Sequence, residues 1–250
     1  MIALITGASS GIGRDIAIEL SQRGYKLILV SREIQKLEEL KSIIKTESEI
    51  VIMDLTIEEN CKKLFEKYKD IDILVNNAGF GDCGNFDETS LDKDIKMIKT
   101  NIIAYHILTK LYLKEMIQKD SGKILNVASI AGFMPGPLMT TYYSTKSYVV
   151  RLSESIREEL RRRKSNVQIS ILCPGPVNTN FNKVADVEFS LKGLSSKYVA
   201  QYAIKKLFKG KFYIVPGWKI RLARIGAQVA PSSFVAKISY NMQRRKKIGK

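Results

Sequence analysis

Two adjacent tyrosines ahead of a lysine could carry proton-transfer chemistry in the stretch TTYYSTKSYVV at positions 140–150. A helix brings residues four apart onto one face, so Tyr142 and Lys146 are neighbours while Tyr143 points about 100° away. An ammonium ~4 Å from the phenol could lower its pKa by about three, although desolvation of the phenolate opposes this fall. We therefore predict that Tyr142 exchanges a proton near neutral pH, and that Tyr143 and Tyr148 serve helix packing.

A glycine-rich segment, TGASSGIG at positions 6–13, lies between the first strand pattern and the first helix pattern. Its G-x-x-x-G-x-G spacing lets the backbone turn sharply and approach a pyrophosphate, whose charge the helix N-terminus favours. Two serine hydroxyls add donors, so the segment predicts a dinucleotide site; the alternative is a plain tight turn. The residues concerned are Gly7, Ser9, Ser10, Gly11 and Gly13.

The end of the second strand pattern, LILVSRE, bears on the choice of coenzyme. NAD-selective sites place an acid here to hold the ribose 2′-hydroxyl. This chain has Ser31 and Arg32 instead, and a guanidinium binds a 2′-phosphate through charge-assisted hydrogen bonds. NADP(H) is therefore favoured over NAD(H). Glu33 could hydrogen-bond the ribose, but an acid in the first turn of the next helix also has a structural reason.

Short β-branched apolar runs alternate with amphipathic helical patterns along the chain, which indicates a parallel sheet covered on both faces. The sequence predicts an α/β fold: a doubly wound, Rossmann-type, three-layer αβα domain with a seven-stranded, mainly parallel sheet and six helices. One helix is expected from Leu91 to Lys119. We assign residues 1–217 to a coenzyme-binding catalytic domain and 218–250 to a basic carboxyl-terminal extension of it.

Five motifs, taken in order, resemble those of the short-chain dehydrogenase/reductase family over residues 3 to about 181. They are TGASSGIG, NNAG at 76–79, TNIIAY with Asn101, NVASIAG with Ser129 thirteen residues before Tyr142, and CPGPVNT. The resemblance implies a catalytic set of Asn101, Ser129, Tyr142 and Lys146. It implies a coenzyme site formed by Gly7, Ser9, Ser10, Gly11, Ile12, Gly13, Ser31, Arg32, Asp54, Leu55, Asn77, Ala78, Gly79, Tyr142, Lys146, Pro174, Gly175, Val177 and Thr179.

The same resemblance implies roles for these residues. Tyr142 would be the general acid for carbonyl reduction, and Lys146 would lower its pKa and bind the nicotinamide ribose. Ser129 would hydrogen-bond the substrate oxygen, and Asn101 would hold a water on a proton path. Family members usually pair through the helices found here at about 91–119 and 142–164, so we expect a homodimer or homotetramer.

The expected activity is hydride transfer between NADP(H) and a small-molecule carbonyl or secondary alcohol. The segment ELRRRKSNVQISILCPGPVNTNF resembles the branch with 3-ketoacyl reductases and hydroxysteroid dehydrogenases, which favours a lipid-like substrate. An NADP(H)-sensing binding protein with a basic membrane- or partner-binding tail is the alternative. An epimerase or dehydratase on the same fold is a third reading. Substrate choice would rest on the loop from Asn178 to about Ser195 and on the carboxyl-terminal region.

Positive charge is concentrated at the end of the chain. Residues 189–250 hold 15 of the 41 Lys and Arg residues and no Asp or Glu. The tail shows no nucleic-acid motif, so nucleic acid is not expected; an anionic membrane surface, an acidic carrier of the substrate and a merely solvated face remain open. Trp218 could touch substrate but is more readily an anchor for this tail.

The remaining features exclude other classes of protein. No apolar run approaches the ~20 residues of a spanning helix, and no secretion signal is recognisable, so we expect a cytoplasmic protein. Three cysteines far apart, Cys61, Cys83 and Cys173, predict neither a disulfide framework nor a metal site. His106, the single histidine, is expected to pack in a helix and not to serve a catalytic triad.

Overall fold

A seven-stranded sheet forms the centre of the computed structural model, which describes residues 1–179 and 193–247. The first six strands are β1 Ile2–Thr6, β2 Lys26–Ser31, β3 Ser48–Ile52, β4 Ile73–Asn76, β5 Lys123–Val127 and β6 Gln168–Leu172. Strands of two residues each follow, namely β7 Val177–Asn178, β8 Leu194–Ser195 and β9 Tyr213–Ile214, and of these β9 is the seventh strand of the main sheet. The sheet order is β3-β2-β1-β4-β5-β6-β9, and β7 pairs separately with β8.

Nine α-helices occur within residues 1–179 and 193–247. They are α1 Gly11–Ser21, α2 Ile34–Ile43, α3 Glu58–Lys67, α4 Leu91–Ile98, α5 Tyr105–Gln118, α6 Thr140–Arg162, α7 Ser196–Leu207, α8 Trp218–Val229 and α9 Ser232–Lys247. Their apolar sides define two layers. Residues of α1, α2 and α7 form one buried cluster with the sheet, and residues of α3, α5 and α6 form the other.

The strands supply both clusters because successive side chains of a strand point to opposite faces. In β1, Leu4 belongs to one cluster, whereas Ala3 and Ile5 belong to the other, and all three are fully buried. Every strand pair of the main sheet is parallel. The predicted three-layer fold is confirmed, and the sheet is wholly parallel where a mainly parallel one was expected.

The single helix predicted from Leu91 to Lys119 is wrong in one respect. A π-helical segment at Lys99–Ala104 separates α4 from α5. Such a segment widens the helix by one residue per turn, and it is often found at functional sites. Here it carries Asn101, whose side chain is fully buried. The extra residue therefore sets the direction of an amide that the sequence had singled out.

Parallel strands bring their carboxyl ends to one edge of the sheet, and the connections that follow them lie there together. The glycine turn follows β1, Asn77 follows β4, and Ser129 follows β5. The site is positioned by this edge. As for membranes, none of the helices in the described part of the chain is long and apolar enough to cross a bilayer.

Candidate active site

A cavity of about 1200 Å³ lies at the carboxyl edge of the sheet. Nearly all of the predicted coenzyme and catalytic residues line it, from the glycine turn after β1 to Thr179 after β7. Two do not, namely Gly13 and Asn101. Most of the predicted residues thus lie around one cavity, and Gly13 and Asn101 lie behind its wall.

The phenol, the ammonium and a serine hydroxyl meet on one wall of this cavity. Tyr142 and Lys146 lie one turn apart on α6, and the lysine Nζ is 5.9 Å from the centroid of the tyrosine ring. The Ser129 hydroxyl hydrogen-bonds the Tyr142 phenol. Ser129 is itself held at the start of a short 3-10 turn, where its Oγ accepts from the Ala131 N–H at 3.2 Å. The arrangement places two hydroxyl groups where a carbonyl oxygen could accept from both.

Lys146 is a buried cation. Its Nζ donates to the Val127 carbonyl at 2.9 Å, and it lies 5.3 Å from the centroid of the Tyr105 ring. Burial lowers the pKa of Lys146 to about 8, because the interior disfavours the charged form. The lysine is therefore largely protonated at neutral pH and titrates only slightly above it.

The prediction that Tyr142 has an unusually low pKa is wrong when only the protein's own groups act on the phenol. Burial raises the pKa of the phenol above its ordinary value, and the hydrogen bond from Ser129 lowers it by less. At neutral pH the phenol is thus protonated, which suits a group that donates a proton to a reduced carbonyl.

Asn101 braces the neighbouring loop and does not face the cavity. Its Nδ2 donates to the Phe80 carbonyl at 2.9 Å and to Thr145 Oγ1 at 3.1 Å, and its Oδ1 accepts from the Phe80 N–H at 3.2 Å. Thr145 is the residue before Lys146. The amide therefore fixes the loop after β4 against the helix that carries the tyrosine and the lysine.

The glycine turn has no room for side chains. Gly7 adopts φ +63°, and a Cβ there would come within 2.8 Å of the Ala78 Cα. A Cβ on Gly13 would overlap the Gly7 carbonyl oxygen and the Asn77 amide. Asn77 Nδ2 donates to the Gly7 carbonyl at 3.0 Å. The turn therefore leaves an open cradle at the N-terminus of α1, where a pyrophosphate fits the free N–H groups.

The far end of the cavity contains both an arginine and a carboxylate. The Arg32 side chain is exposed, with its Nη1 3.8 Å from Asp54 Oδ2. Glu33 Oε2 accepts from Ser9 Oγ at 2.9 Å, and Ser9 accepts from the Ser31 hydroxyl at 2.9 Å. The hydrogen bond from Lys36 is the main reason that the pKa of Glu33 lies below its ordinary value. The Glu33 carboxylate thus points toward the glycine segment. Its position at the start of α2 did not indicate this contact.

The sequence analysis expected the carboxyl-terminal region to help choose the substrate, but it did not identify the residues of the last two helices that line the cavity. The cavity is also lined by Ile220, Ala223, Phe234, Val235, Ile238, Ser239, Met242 and Gln243. Buried Gln243 donates from Nε2 to the Tyr143 hydroxyl at 2.6 Å, so Tyr143 belongs to the cavity wall and not merely to helix packing. The signal in the sequence is the i, i+4, i+8 spacing of Val235, Ser239 and Gln243.

His106 and Trp218, to which the sequence analysis gave no catalytic role, both lie outside the cavity. His106 lies outside the cavity, and its Nδ1 is 2.7 Å from the Tyr148 hydroxyl, between α5 and α6. Trp218 is 67% exposed and does not line the cavity, so the expectation that it anchors the tail is wrong.

A glycine turn after the first strand of a doubly wound sheet, facing a tyrosine and a lysine one turn apart, defines a nucleotide-binding oxidoreductase of the Rossmann type. The comparisons agree with this class. Residues 1–188 match the short chain dehydrogenase family. The chain belongs to the short-chain dehydrogenase/reductase family and is an oxidoreductase that uses a nicotinamide coenzyme.

The chain is similar in sequence to a human reductase and in structure to two solved short-chain dehydrogenases. Human very-long-chain 3-oxoacyl-CoA reductase is 35% identical over 176 residues, which cover 66% of this chain and 56% of that protein. A short-chain dehydrogenase from Sphingobium yanoikuyae, solved in complex with NADPH, is 26% identical with a TM-score of 0.81, covering 90% of this chain and 94% of the other. A short-chain dehydrogenase/reductase from Burkholderia phymatum, solved in complex with NAD, has 24% identity, a TM-score of 0.80 and coverages of 90% and 91%.

Proposed function

We propose that the protein is an NADP(H)-dependent reductase that interconverts a carbonyl group and a secondary alcohol. The observation that carries the proposal is the meeting of the Tyr142 phenol, the Ser129 hydroxyl and the Lys146 ammonium on one cavity wall. The same cavity extends to the glycine cradle, which fits a coenzyme pyrophosphate. Bound there, NADPH would supply the hydride.

The protein groups would handle the oxygen and its proton. The Ser129 hydroxyl would donate to the substrate oxygen as negative charge develops on it, and Tyr142 would deliver the proton that completes the alcohol. Lys146, protonated below its pKa of about 8, would place a positive charge beside the phenol and stabilise the phenolate left behind. Asn101 would act as a positioning residue through Phe80 and Thr145.

Preference for NADP(H) depends on Arg32. Its side chain is exposed, and its pair with Asp54 at 3.8 Å is weak, so the guanidinium is free to turn to a 2′-phosphate. Glu33 opposes this, since its carboxylate accepts from Ser9 within the same part of the cavity. We expect the arginine to prevail because Lys36 partly neutralises the carboxylate through an ion pair. The preference is therefore modest.

A lipid-like carbonyl is the substrate class that the cavity favours. Beyond the tyrosine, the wall is mostly apolar, with Met134, Met139, Ile220 and Phe234 among its residues. A long acyl chain would bury its surface there, at roughly 25 cal/mol per Å² of apolar area. The similarity to a very-long-chain 3-oxoacyl-CoA reductase supports a 3-ketoacyl thioester over a small polar ketone.

Replacing Tyr142 with phenylalanine tests the proposal. NADPH oxidation is measured against short ketones, 3-ketoacyl thioesters and ketosteroids, and coenzyme binding is followed by NADPH fluorescence. We expect Tyr142→Phe to lose at least about a hundredfold in kcat while it still binds NADPH. Tyr148→Phe, which removes a hydroxyl from the same helix outside the cavity, is the matched control and should keep most of its turnover.

Three other results of these assays would contradict the proposed function. Full turnover by Tyr142→Phe would refute the proposed proton donor. NADPH binding without turnover on any substrate would instead favour an NADP(H)-sensing protein. Conversion of substrate without stoichiometric consumption of NADPH would indicate an epimerase or a dehydratase.

A further inference from the structure

Helix α8 carries an apolar stripe that faces away from the rest of the protein. Trp218, Leu222, Ile225 and Val229 follow one another at intervals of four, three and four residues, which places them on one side of the helix. Their side chains are between 53% and 82% exposed. A soluble amphipathic helix normally turns such a stripe toward the core. Here it is turned to the outside.

The opposite side of α8 is bound to the domain, so the stripe cannot rotate inward without breaking these contacts. Ile220 packs against the buried cluster of α3, α5 and α6. The Arg224 guanidinium carbon lies 3.9 Å from the centroid of the Tyr213 ring. Arg221 Nε donates to the Val215 carbonyl at 3.0 Å. The outward direction of the stripe is therefore a property of the fold.

Helix α9 carries a second set of exposed apolar residues, and this set reaches the cavity. Its buried side holds Val235, Ser239 and Gln243. Beside them, Phe234, Ile238 and Met242 are 57%, 45% and 46% exposed and also line the cavity. We call the seven exposed apolar residues the α8–α9 surface: Trp218, Leu222, Ile225, Val229, Phe234, Ile238 and Met242.

Cations border this surface. Lys219 lies beside the α8 stripe, and its Nζ is 5.7 Å from the centroid of the Trp218 ring. Lys237 and Arg244 are exposed on α9. No acidic residue occurs from position 189 onward. A second copy of the chain would bring like charges together on the same surface, which disfavours it as the occupant.

We propose that the α8–α9 surface binds an anionic lipid bilayer, with both helices lying in the interface. Exposed apolar side chains beside lysine and arginine, with a tryptophan at one end, are what such helices present to headgroups and acyl chains. Because three residues of the surface also line the cavity, docking brings the cavity to the lipid. This last point rests on the proposed function, since it would let a lipid-like substrate enter from the bilayer.

Vesicle sedimentation of the full chain tests the docking without substrate or coenzyme. The vesicles are phosphatidylcholine alone and phosphatidylcholine with phosphatidylglycerol. We expect binding to the anionic vesicles, partly reduced by salt. The double variant Leu222→Ser/Ile225→Ser should bind at least about tenfold more weakly. The control Phe86→Ser/Leu91→Ser, which changes two apolar residues elsewhere that are at least as exposed, should bind like the unmodified protein.

Three results would overturn the docking proposal. They are the absence of binding to anionic vesicles, equal binding by both double variants, and self-association in lipid-free sedimentation velocity that Leu222→Ser/Ile225→Ser removes. The last would assign the surface to a second copy. Leu222 and Ile225 do not line the cavity, so turnover of a water-soluble ketone should be unchanged in both variants. Vesicle binding by a protein without turnover would refute the reductase and leave the docking intact.

Discussion

Replacing Lys146 with methionine should make the protein more stable at neutral pH while it destroys activity. The lysine is 4% exposed, and burial lowers its pKa from 10.5 to about 8. A fall of that size means that the protonated lysine costs the native state about 3 kcal/mol at pH 7, at ~1.4 kcal/mol for each unit of pKa. Methionine fills a similar volume without a charge.

The expected gain is smaller than this because one hydrogen bond is lost. The bond from Lys146 to the Val127 carbonyl contributes about 1 kcal/mol, and that carbonyl keeps the hydroxyl of Tyr105 at 3.1 Å. The net stabilisation by methionine is therefore about 2 kcal/mol at pH 7. Loss of the ammonium beside Tyr142 should lower kcat/KM at least about a hundredfold.

The pH dependence distinguishes this explanation from a general packing effect. Between the folded pKa of about 8 and the unfolded value of 10.5, the unfolded lysine binds more protons than the folded one. The unmodified protein therefore gains stability as pH rises through that window, and the penalty is complete below it. The advantage of Lys146→Met should fall to zero at about pH 10 and become a small disadvantage above it, because the charge penalty disappears while the lost hydrogen bond remains.

Urea unfolding at pH 7 and at pH 10 measures the effect. Lys63→Met, on the exposed side of α3, is the control for the change in helix propensity and should show no such dependence. A Lys146→Met protein that is less stable at both pH values, by the same amount, would refute the reasoning. It would show that the ammonium is well solvated or ion-paired in the native state.

Two further predictions concern the coenzyme end of the cavity. Glu33→Gln removes the carboxylate beside Ser9 and should lower the KM for NADPH about fivefold relative to that for NADH, since a like charge ~5 Å away costs ~1 kcal/mol in water-like surroundings. Steady-state kinetics measures both KM values, with Glu38→Gln, exposed on the same helix, as the control. An unchanged ratio of the two KM values would place Glu33 out of reach of the phosphate. Gly13→Ala should lower the free energy of unfolding by about 2–3 kcal/mol and abolish NADPH binding, because the new Cβ overlaps Gly7 and Asn77. Gly226→Ala, which meets nothing within 4 Å, should be neutral or stabilise α8 by up to about 1 kcal/mol in the same denaturation assay; equal stability of the two alanine variants would mean that the glycine turn can relax.

The fold could be predicted because its signal is local. Apolar runs of four to six residues alternate with amphipathic helices, and that alternation has few solutions other than a parallel sheet between two helical layers. The position of the cavity follows from the same pattern, since parallel strands end at one edge. Ser129 and Asn77 could therefore be placed beside the glycine turn without coordinates.

The features that sequence reasoning missed depend on contacts between distant segments. The pKa of Tyr142 depends on how deeply the ring is enclosed, which helix spacing does not report. Glu33 looks like an ordinary first-turn acid until Ser9, 24 positions earlier, is seen to donate to it. The approach of Gln243 to Tyr143 spans 100 positions. Local patterns carry no information about such pairs.

The π-helical turn at Lys99–Ala104 has a consequence for how the site could be gained or lost. The wider π-helical turn accommodates one additional residue, which in a regular helix would rotate everything after it by about 100°. Removing a single residue from this segment would let α4 run straight into α5, with Tyr105 free to keep its packing while Asn101 swings away from Phe80. A change in chain length by one would then disconnect this amide from the rest of the machinery even though Asn101 itself is kept.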